Sequence, residues 1–423
     1  MRAWAVVEAE KPLQELESPT PEPQGTEVLV EVSHCGVCHS DVHFWEGFLD
    51  LGREEKTPIS SMGMKYPMTL GHEIFGTVVK LGPDAEGKGV KVGDRRIVFP
   101  WVGCGECEKC LAEEDNMCVK GRALGVRQSG GFGSHVVVPH PRHLIDPGGI
   151  DPALAATYAC SSLTVYSAIQ KLMPQPADGP IVVIGAGGLG LAAVEILKAM
   201  GKTNIIVVDI APAKREAALK EGARVAIDGA ASDAVDQIKA AAEGPAPAIL
   251  DLVGSGQTAG MAVGSLAKGG KLVIVGMFGG RLNIPMMTFP SQAISIQGNF
   301  VGNPKELREI VELANAGKLK PIPIETRPKS EATRTLQELR AGKTSRGAVD
   351  AGYDKVFWTI VDGHVTAFVA GAILYYTGTG PVKGFAVTLM IGLAASMFTS
   401  IVVTRQIIDV LVHRTPARAR AAA

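Results

Sequence analysis

The run Ile181-Val182-Val183-Ile184-Gly185-Ala186-Gly187-Gly188-Leu189-Gly190 decides the fold class. Four consecutive β-branched apolar residues suit a strand buried on both faces. The glycines after them keep the spacing Gly-x-Gly-x-x-Gly, and an apolar helical run follows from Leu191 to Met200. A second strand, Ile205-Ile206-Val207-Val208, ends at Asp209. Strand, glycine turn, helix, strand and terminal acid together make a βαβ unit for a dinucleotide. Gly185 permits the tight turn, Gly187 lets backbone approach a pyrophosphate, and Gly190 lets the helix pack on the strand. The pyrophosphate would rest on the N–H groups of the helix N-terminus, where Gly188 and Leu189 stand. Asp209, nineteen residues beyond Gly190, can accept hydrogen bonds from an adenosine ribose and repel a 2′-phosphate, which favours NAD over NADP. Apolar runs at Ala248-Ile249-Leu250 and Lys271-Leu272-Val273-Ile274-Val275-Gly276 extend a parallel sheet.

The seven cysteines carry the second signal. Cys104, Cys107, Cys110 and Cys118 fall within one loop-like run, Gly-Cys-Gly-Glu-Cys-Glu-Lys-Cys-Leu-Ala-Glu-Glu-Asp-Asn-Met-Cys. Four thiolates at this spacing can close a tetrahedral shell around Zn²⁺ and leave no position for substrate, which is a structural site. Four free thiols or two disulfides are the alternatives; two-residue gaps suit a metal better, and no secretory context supports oxidation. Cys38, in Gly36-Val37-Cys38-His39-Ser40-Asp41-Val42-His43, Cys160, in Ala159-Cys160-Ser161-Ser162, and His72, in Gly71-His72-Glu73, form a second set. Two cysteines and one histidine leave one position open on a catalytic zinc. Each taken singly could be a satisfied core residue. Cys35 reads as a small buried apolar residue.

The chain has 423 residues, a formal net charge of −1, 20% charged residues and 50 glycines. The length predicts two or three domains, the charge gives no footprint for nucleic acid, and the glycine content fits an α/β enzyme with many tight turns. The start, Met1-Arg2-Ala3-Trp4-Ala5-Val6-Val7, soon meets Glu8, Glu10 and Lys11. It does not read as a signal peptide, so a reducing cytoplasm is expected. Residues 1–150 contain short β-type runs at Val28–Val32, Gly76–Val79 and His135–Val138. The stretch from Leu49 to Met68 reads as a polar loop near the metal ligands that either shapes substrate entry or is a solvated excursion. A helix is expected from Lys305 to Ala316 with Gly317 as its cap, and a further apolar pattern runs from Leu336 to Gly342.

Residues 1 to about 348, with these motifs in this order, resemble the zinc-dependent medium-chain alcohol dehydrogenases. The resemblance implies a GroES-like β-rich catalytic domain (1–152), a Rossmann NAD-binding domain (153–295) and a return to the catalytic domain (296–348). It implies two zinc ions per subunit, with Cys38, His72 and Cys160 on the catalytic ion and the four-cysteine run on the structural one. Glu73 and Asp41 would be carboxylates that orient those ligands. Ser40 would touch the alcohol oxygen, and His43 would end the proton relay. His39 would lie near the pyrophosphate, Lys214 near a cofactor ribose, and Arg346 near the cofactor phosphates. Phe44, Trp45 and Trp101 would wall the pocket. The implied activity is reversible oxidation of an alcohol to an aldehyde or ketone with hydride transfer to NAD, in a homodimer or homotetramer. The span from Cys38 to His72 is longer than the family's usual one.

The last part of the chain changes character. Gly384 to Thr404 is 21 residues without a charge, and Phe357 to Tyr376 is broken only by Asp362 and His364. The first is long enough to span a bilayer. Arg405, Arg414, Arg418 and Arg420 place the end of the chain in the cytoplasm by the positive-inside rule. Ala351-Gly352-Tyr353-Asp354-Lys355 and Tyr376-Thr377-Gly378-Thr379-Gly380-Pro381 resemble the final two transmembrane helices of SecD, a protein-export subunit, so a helical hairpin is expected over 349–423 with membrane contact through 357–404. A dehydrogenase joined to a SecD fragment by fusion, frameshift or cloning, a membrane-tethered dehydrogenase for lipophilic alcohols, and a non-catalytic translocon-associated protein are the three readings of the junction.

Overall fold

In the computed structural model, which describes residues 1–52, 56–321, 324–341 and 347–350, the glycine motif lies on the third strand across a six-stranded parallel sheet. The order across that sheet is Val225–Asp228, Ile205–Asp209, Ile181–Ile184, Ala246–Asp251, Leu266–Ile274, Ser295–Gly298. Ile184 stands opposite Val208 on one side and Asp251 on the other. Strand order therefore reverses beside Ile181–Ile184, and the crevice beyond the strand ends at such a reversal is where ligands bind. Ile181 and Val183 pack into one core with Leu163, Ala193 and Leu197, while Val182 and Ile184 pack into another with Ile238 and Ala262. Both faces of the strand are covered, which is why its sequence is apolar at every position.

Helix Gly188–Ala199 starts directly after the glycine turn, with Gly187 as its N-cap. Gly185 has φ +99°, and a Cβ on Gly190 would lie 2.0 Å from the Gly185 carbonyl oxygen. The close approach that Gly190 permits is thus to the turn itself, at the strand's end.

The second sheet is mostly antiparallel and runs Leu144–Ile145, Arg95–Val98, Glu73–Leu81, Val28–Val37, Gly347–Asp350, Glu325–Pro328, with His135–Val138 also paired to Val28–Val37. Gly36 is opposite Glu73 in the Val28–Val37/Glu73–Leu81 ladder. That register brings the residues just beyond the pair, Cys38 and His72, to the same edge of the sheet. A Cβ on Gly36 would sit 2.0 Å from Glu73 Oε2, so only glycine fits opposite the glutamate. Helix Ala332–Arg340 packs Ala332, Leu336 and Leu339 into the core of this sheet.

The segment after Leu49 differs from the expected loop. Phe48–Leu49 pairs with Thr57–Pro58, a 3₁₀ turn covers Ile59–Met62, and Ile59 and Met64 are buried. Helix Pro304–Asn315 ends near its expected position, with Gly317 in the left-handed region at φ +68°. The described residues form one compact unit, Met1–Asp350. Arg346 and the SecD-like residues from 351 onward lie outside the described residues. Among the described residues no helix is long and apolar enough to cross a membrane.

Gly190→Ala would drive a methyl group against the Gly185 carbonyl. The expected loss is about 1–3 kcal/mol of stability, read as a lower urea midpoint at unchanged slope; an unaltered midpoint would show that the turn can relax around the side chain.

Candidate active site

Cys38 is the N-cap of helix His39–Glu46, and the third residue of that helix is Asp41. An acid at this position accepts from the N-cap N–H, and Asp41 Oδ2 does so from Cys38 N at 2.9 Å. Its other oxygen crosses to the second ligand segment. Oδ1 accepts from Gly71 N at 3.1 Å and lies 3.2 Å from His72 Nδ1. Cys160 comes from a third direction, in the π-helical turn Tyr158–Ser162. Such turns insert a residue into a helix and are frequent at functional sites.

The ligand atoms of Cys38, His72 and Cys160 all lie within 4.8 Å of one another. The two sulfurs are 3.9 Å apart, far beyond a disulfide bond. His72 is fully buried, and its Nε2 has no hydrogen-bond partner among the described residues. A buried imidazole nitrogen without a partner, facing two thiols, is costly unless a cation takes its lone pair. The proton balance is strained in the same sense. Hydrogen bonding from Cys160, with help from His72, holds the Cys38 thiol well below its usual range, while the Cys38 sulfur and burial push Cys160 well above. Burial alone would lower His72, but Asp41 and Cys38 outweigh it and hold the imidazole well above its ordinary value. Two thiols and an imidazole competing for protons in a buried space fit a divalent ion with one open position.

Around this cluster, Ser40 Oγ lies 3.7 Å from Cys38 Sγ. His43, half-buried, stacks edge-on with the exposed His39 at 5.6 Å, and burial followed by the neighbouring His39 lowers its pKa. Glu73 is buried beside Gly36 and contributes no atom to the three-residue cluster. Trp101 places its ring 5.3 Å from that of His72 and donates from Nε1 to Ala159 O at 3.3 Å, so it walls the cluster. Trp45 does not: it is buried in the β-sheet core with Nε1 donating to Lys11 O at 2.6 Å, and Phe44 packs beside that same core. A tryptophan in sequence carries no mark of which of these two environments it will meet. Cys35 is fully buried and burial pushes its thiol well up, as befits a core residue.

The cofactor side is built at the carboxyl ends of the parallel strands. Asp209 accepts from Ala186 N and from Ala211 N, both at 2.8 Å, so its carboxylate ties the glycine turn to the next strand's end. Lys214 is exposed on helix Pro212–Glu221. Its neighbour Arg215, which the sequence did not single out, donates to Asp209 O at 2.9 Å and lies 3.3 Å from Asp228. A cleft of about 250 Å³ opens between Leu49–Leu51, Gly254–Gly256 and Met277–Leu282.

Cys104, Cys107, Cys110 and Cys118 form the second cluster, again within 4.8 Å. Their sulfur contacts run from 3.5 to 3.9 Å, which excludes disulfides in favour of four separate thiols. Backbone N–H groups of Glu106 and Cys107 lower Cys104 to about 6, whereas burial raises Cys110 to about 12. The lobe is anchored by Asp115, which is buried 2.5 Å from Arg142 Nη2 and 3.1 Å from His143 Nε2. Burial pushes the Asp115 carboxyl up, but His143 and Arg142 outweigh it and hold the group below its usual range.

The sequence matches the family described as alcohol dehydrogenase GroES-like domain over residues 24–146 and the one described as zinc-binding dehydrogenase over residues 188–316. An NAD-dependent alcohol dehydrogenase of Sulfurisphaera tokodaii is 36% identical over 340 residues, covering 80% of this chain and 96% of that one. A D-arabinose 1-dehydrogenase (NADP(+)) of Saccharolobus solfataricus is 32% identical, over 76% of this chain and 89% of its own. The crystal structure of the alcohol dehydrogenase from Aeropyrum pernix superposes with a TM-score of 0.74 at 30% identity, covering 83% of this chain and all of that one. With two thiol-rich clusters of the right composition and a glycine turn at the strand reversal, the chain belongs to the zinc-binding alcohol dehydrogenase family.

Proposed function

We propose that the protein is a zinc-dependent, NAD-dependent alcohol dehydrogenase that interconverts an alcohol with its aldehyde or ketone. The observation that carries this reading is the convergence of Cys38, His72 and Cys160 within 4.8 Å, with the unpartnered His72 Nε2 buried among them. When bound, zinc polarises the alcohol oxygen and lowers its pKa, and NAD accepts the hydride. Cys38, His72 and Cys160 hold the catalytic ion; Cys104, Cys107, Cys110 and Cys118 hold the structural one. Ser40 Oγ would take the alcohol proton while giving up its own, which leaves by way of His43, whose basicity is lowered by burial and by His39, towards solvent. Asp41 fixes the His72 ring, Glu73 supports the ligand shell from behind, and Trp101 keeps water away from the reacting oxygen. Gly185–Gly190 receive the pyrophosphate with His39 alongside, and Asp209 and Lys214 take the adenosine ribose.

For the assembly we infer a homodimer. Ser295–Gly298 is the edge of the parallel sheet and is largely exposed, and Met277, Phe278, Met286 and Met287 expose from 52 to 78% of their surface close to it in sequence. An unprotected edge beside a run of large apolar residues favours pairing with a second copy.

The full chain should reduce NAD with at least one class in a panel of primary, secondary and benzylic alcohols and should carry about two zinc ions. Ser40→Ala should lower kcat by about 10²–10⁴ with both ions retained by atomic absorption. No turnover despite full zinc loading would overturn the substrate class. Met286→Lys with Met287→Lys should shift sedimentation from dimer to monomer mass; an unchanged sedimentation coefficient would move the interface elsewhere.

A further inference from the structure

Asp251 is fully buried at the end of the strand Ala246–Asp251, next to the strand that bears the glycine turn. Its carboxylate touches none of the zinc clusters. Oδ1 accepts from Val253 N at 3.0 Å and Gly254 N at 2.9 Å, and Oδ2 accepts from Thr258 Oγ1 at 2.9 Å. Thr258 Oγ1 in turn accepts from Ser255 N at 3.0 Å, and Ser255 Oγ accepts from Thr258 N at 3.1 Å, which closes the N-terminus of helix Gly256–Ser265. One carboxylate therefore ties the start of the 253–258 loop directly and its end through Thr258.

That loop is one wall of the 250 Å³ cleft, and it holds the neighbouring wall in place. Phe278 N donates to Val253 O and Gly279 N to Gly254 O, both at 3.1 Å. A Cβ on Gly254 would fall 1.8 Å from Gly276 O, so the two loops meet backbone to backbone. Across the cleft stand Leu49–Leu51, and Arg281 Nε donates to Gly52 O. Asp209 marks the adenosine side of the strand reversal, over Ile205–Asp209. The loops after Ala246–Asp251 and Leu266–Ile274 lie on its other side, where the second half of a dinucleotide extends.

We propose that Asp251 is a positioning residue for the nicotinamide half of the cofactor, acting through the 253–258 loop and the 276–279 loop that leans on it. The proposal rests on the NAD-dependent reading above and adds a residue that makes no contact with cofactor itself. A side chain of this reach with an acceptor oxygen is required here because one without it leaves the N–H groups of Val253 and Gly254 unsatisfied, and the loop would then relax into the cleft.

The test compares two ligands on the full-length, zinc-loaded protein: NADH, which uses both halves of the site, and ADP-ribose, which lacks nicotinamide. Asp251→Ala should weaken NADH by at least about tenfold, the factor one hydrogen bond to a charged group supplies, while ADP-ribose changes by less than about twofold. KM for NAD should rise with kcat at saturating NAD nearly unchanged, and Asp251→Asn, which keeps an acceptor for the two backbone donors, should recover most of the affinity. Thr258→Val removes the third bond to Asp251 together with the Ser255 N–Thr258 Oγ1 cap bond, leaves both backbone donors on Asp251, and serves as the second variant where Asp251→Ala fails to fold; it should weaken NADH and not ADP-ribose. Equal weakening of both ligands, or no weakening of either, would overturn the proposal. A wild-type chain that binds neither ligand would instead overturn the dinucleotide reading beneath it.

Discussion

The buried carboxylate of Asp41 is the constraint on which the metal centre depends. A local rule puts it there, because an acid three residues into a helix accepts from the N-cap and suits the positive end of the helix dipole. The same group then serves a tertiary purpose by accepting from Gly71 N and meeting His72 Nδ1. Burying an ionised carboxylate costs several kcal/mol; two backbone N–H donors and an imidazole offset that cost only while Cys38 and His72 stay in register. One side chain thus converts a helix cap into a link between ligands that the chain brings from two different strands.

The register of the antiparallel sheet supplies the other half of the geometry. A slip of one residue between Val28–Val37 and Glu73–Leu81 would turn every side chain to the opposite face. It would also place a side chain other than hydrogen opposite Glu73, where the Cβ at residue 36 has no room. Gly36 acts against the slipped pairing, and Glu73 fills the space that the glycine leaves. The alternation of residues 181–184 between two cores does the equivalent task for the parallel sheet, fixing the height at which the glycine turn leaves Ile184.

The parts of the protein legible in sequence are those where one residue type is required by chemistry or by backbone geometry. Thiols at short spacing, the glycine turn and its terminal acid belong to this class, and the structure brings the Cys38, His72 and Cys160 atoms together from segments that the sequence shows only as separate motifs. Residues whose meaning depends on who faces them stayed hidden. Trp45 and Trp101 look alike in sequence, yet one lies in the core and the other on His72. The stretch after Leu49 looked polar because Ile59 and Met64 are isolated apolar residues, and isolated anchors leave no period to read. Asp251 and Arg215 are single charged residues in strand and helix contexts, and nothing local marks the backbone groups they satisfy.

The four-cysteine lobe shows why a protein with ample core still uses a structural metal cluster. Between Cys104 and Cys118 the buried residues are Cys110 and Asp115, and Leu111 and Met117 face solvent, so apolar burial cannot define this segment's shape. Four thiols around one ion can, since metal binding supplies folding free energy directly. The shape so fixed then has a use outside the lobe. Glu113 is held at 2.7 and 2.9 Å from Arg308 Nη2, and Asn116 Nδ2 donates to Phe300 O at 2.9 Å, so the lobe grips the chain where it leaves the parallel sheet. Phe300 lies 5.8 Å from Trp101, whose ring rests on His72. The closed cluster and the open one are thereby joined by packed side chains, and a segment that could not have folded by burial becomes a fixed neighbour of the site where the chemistry is expected.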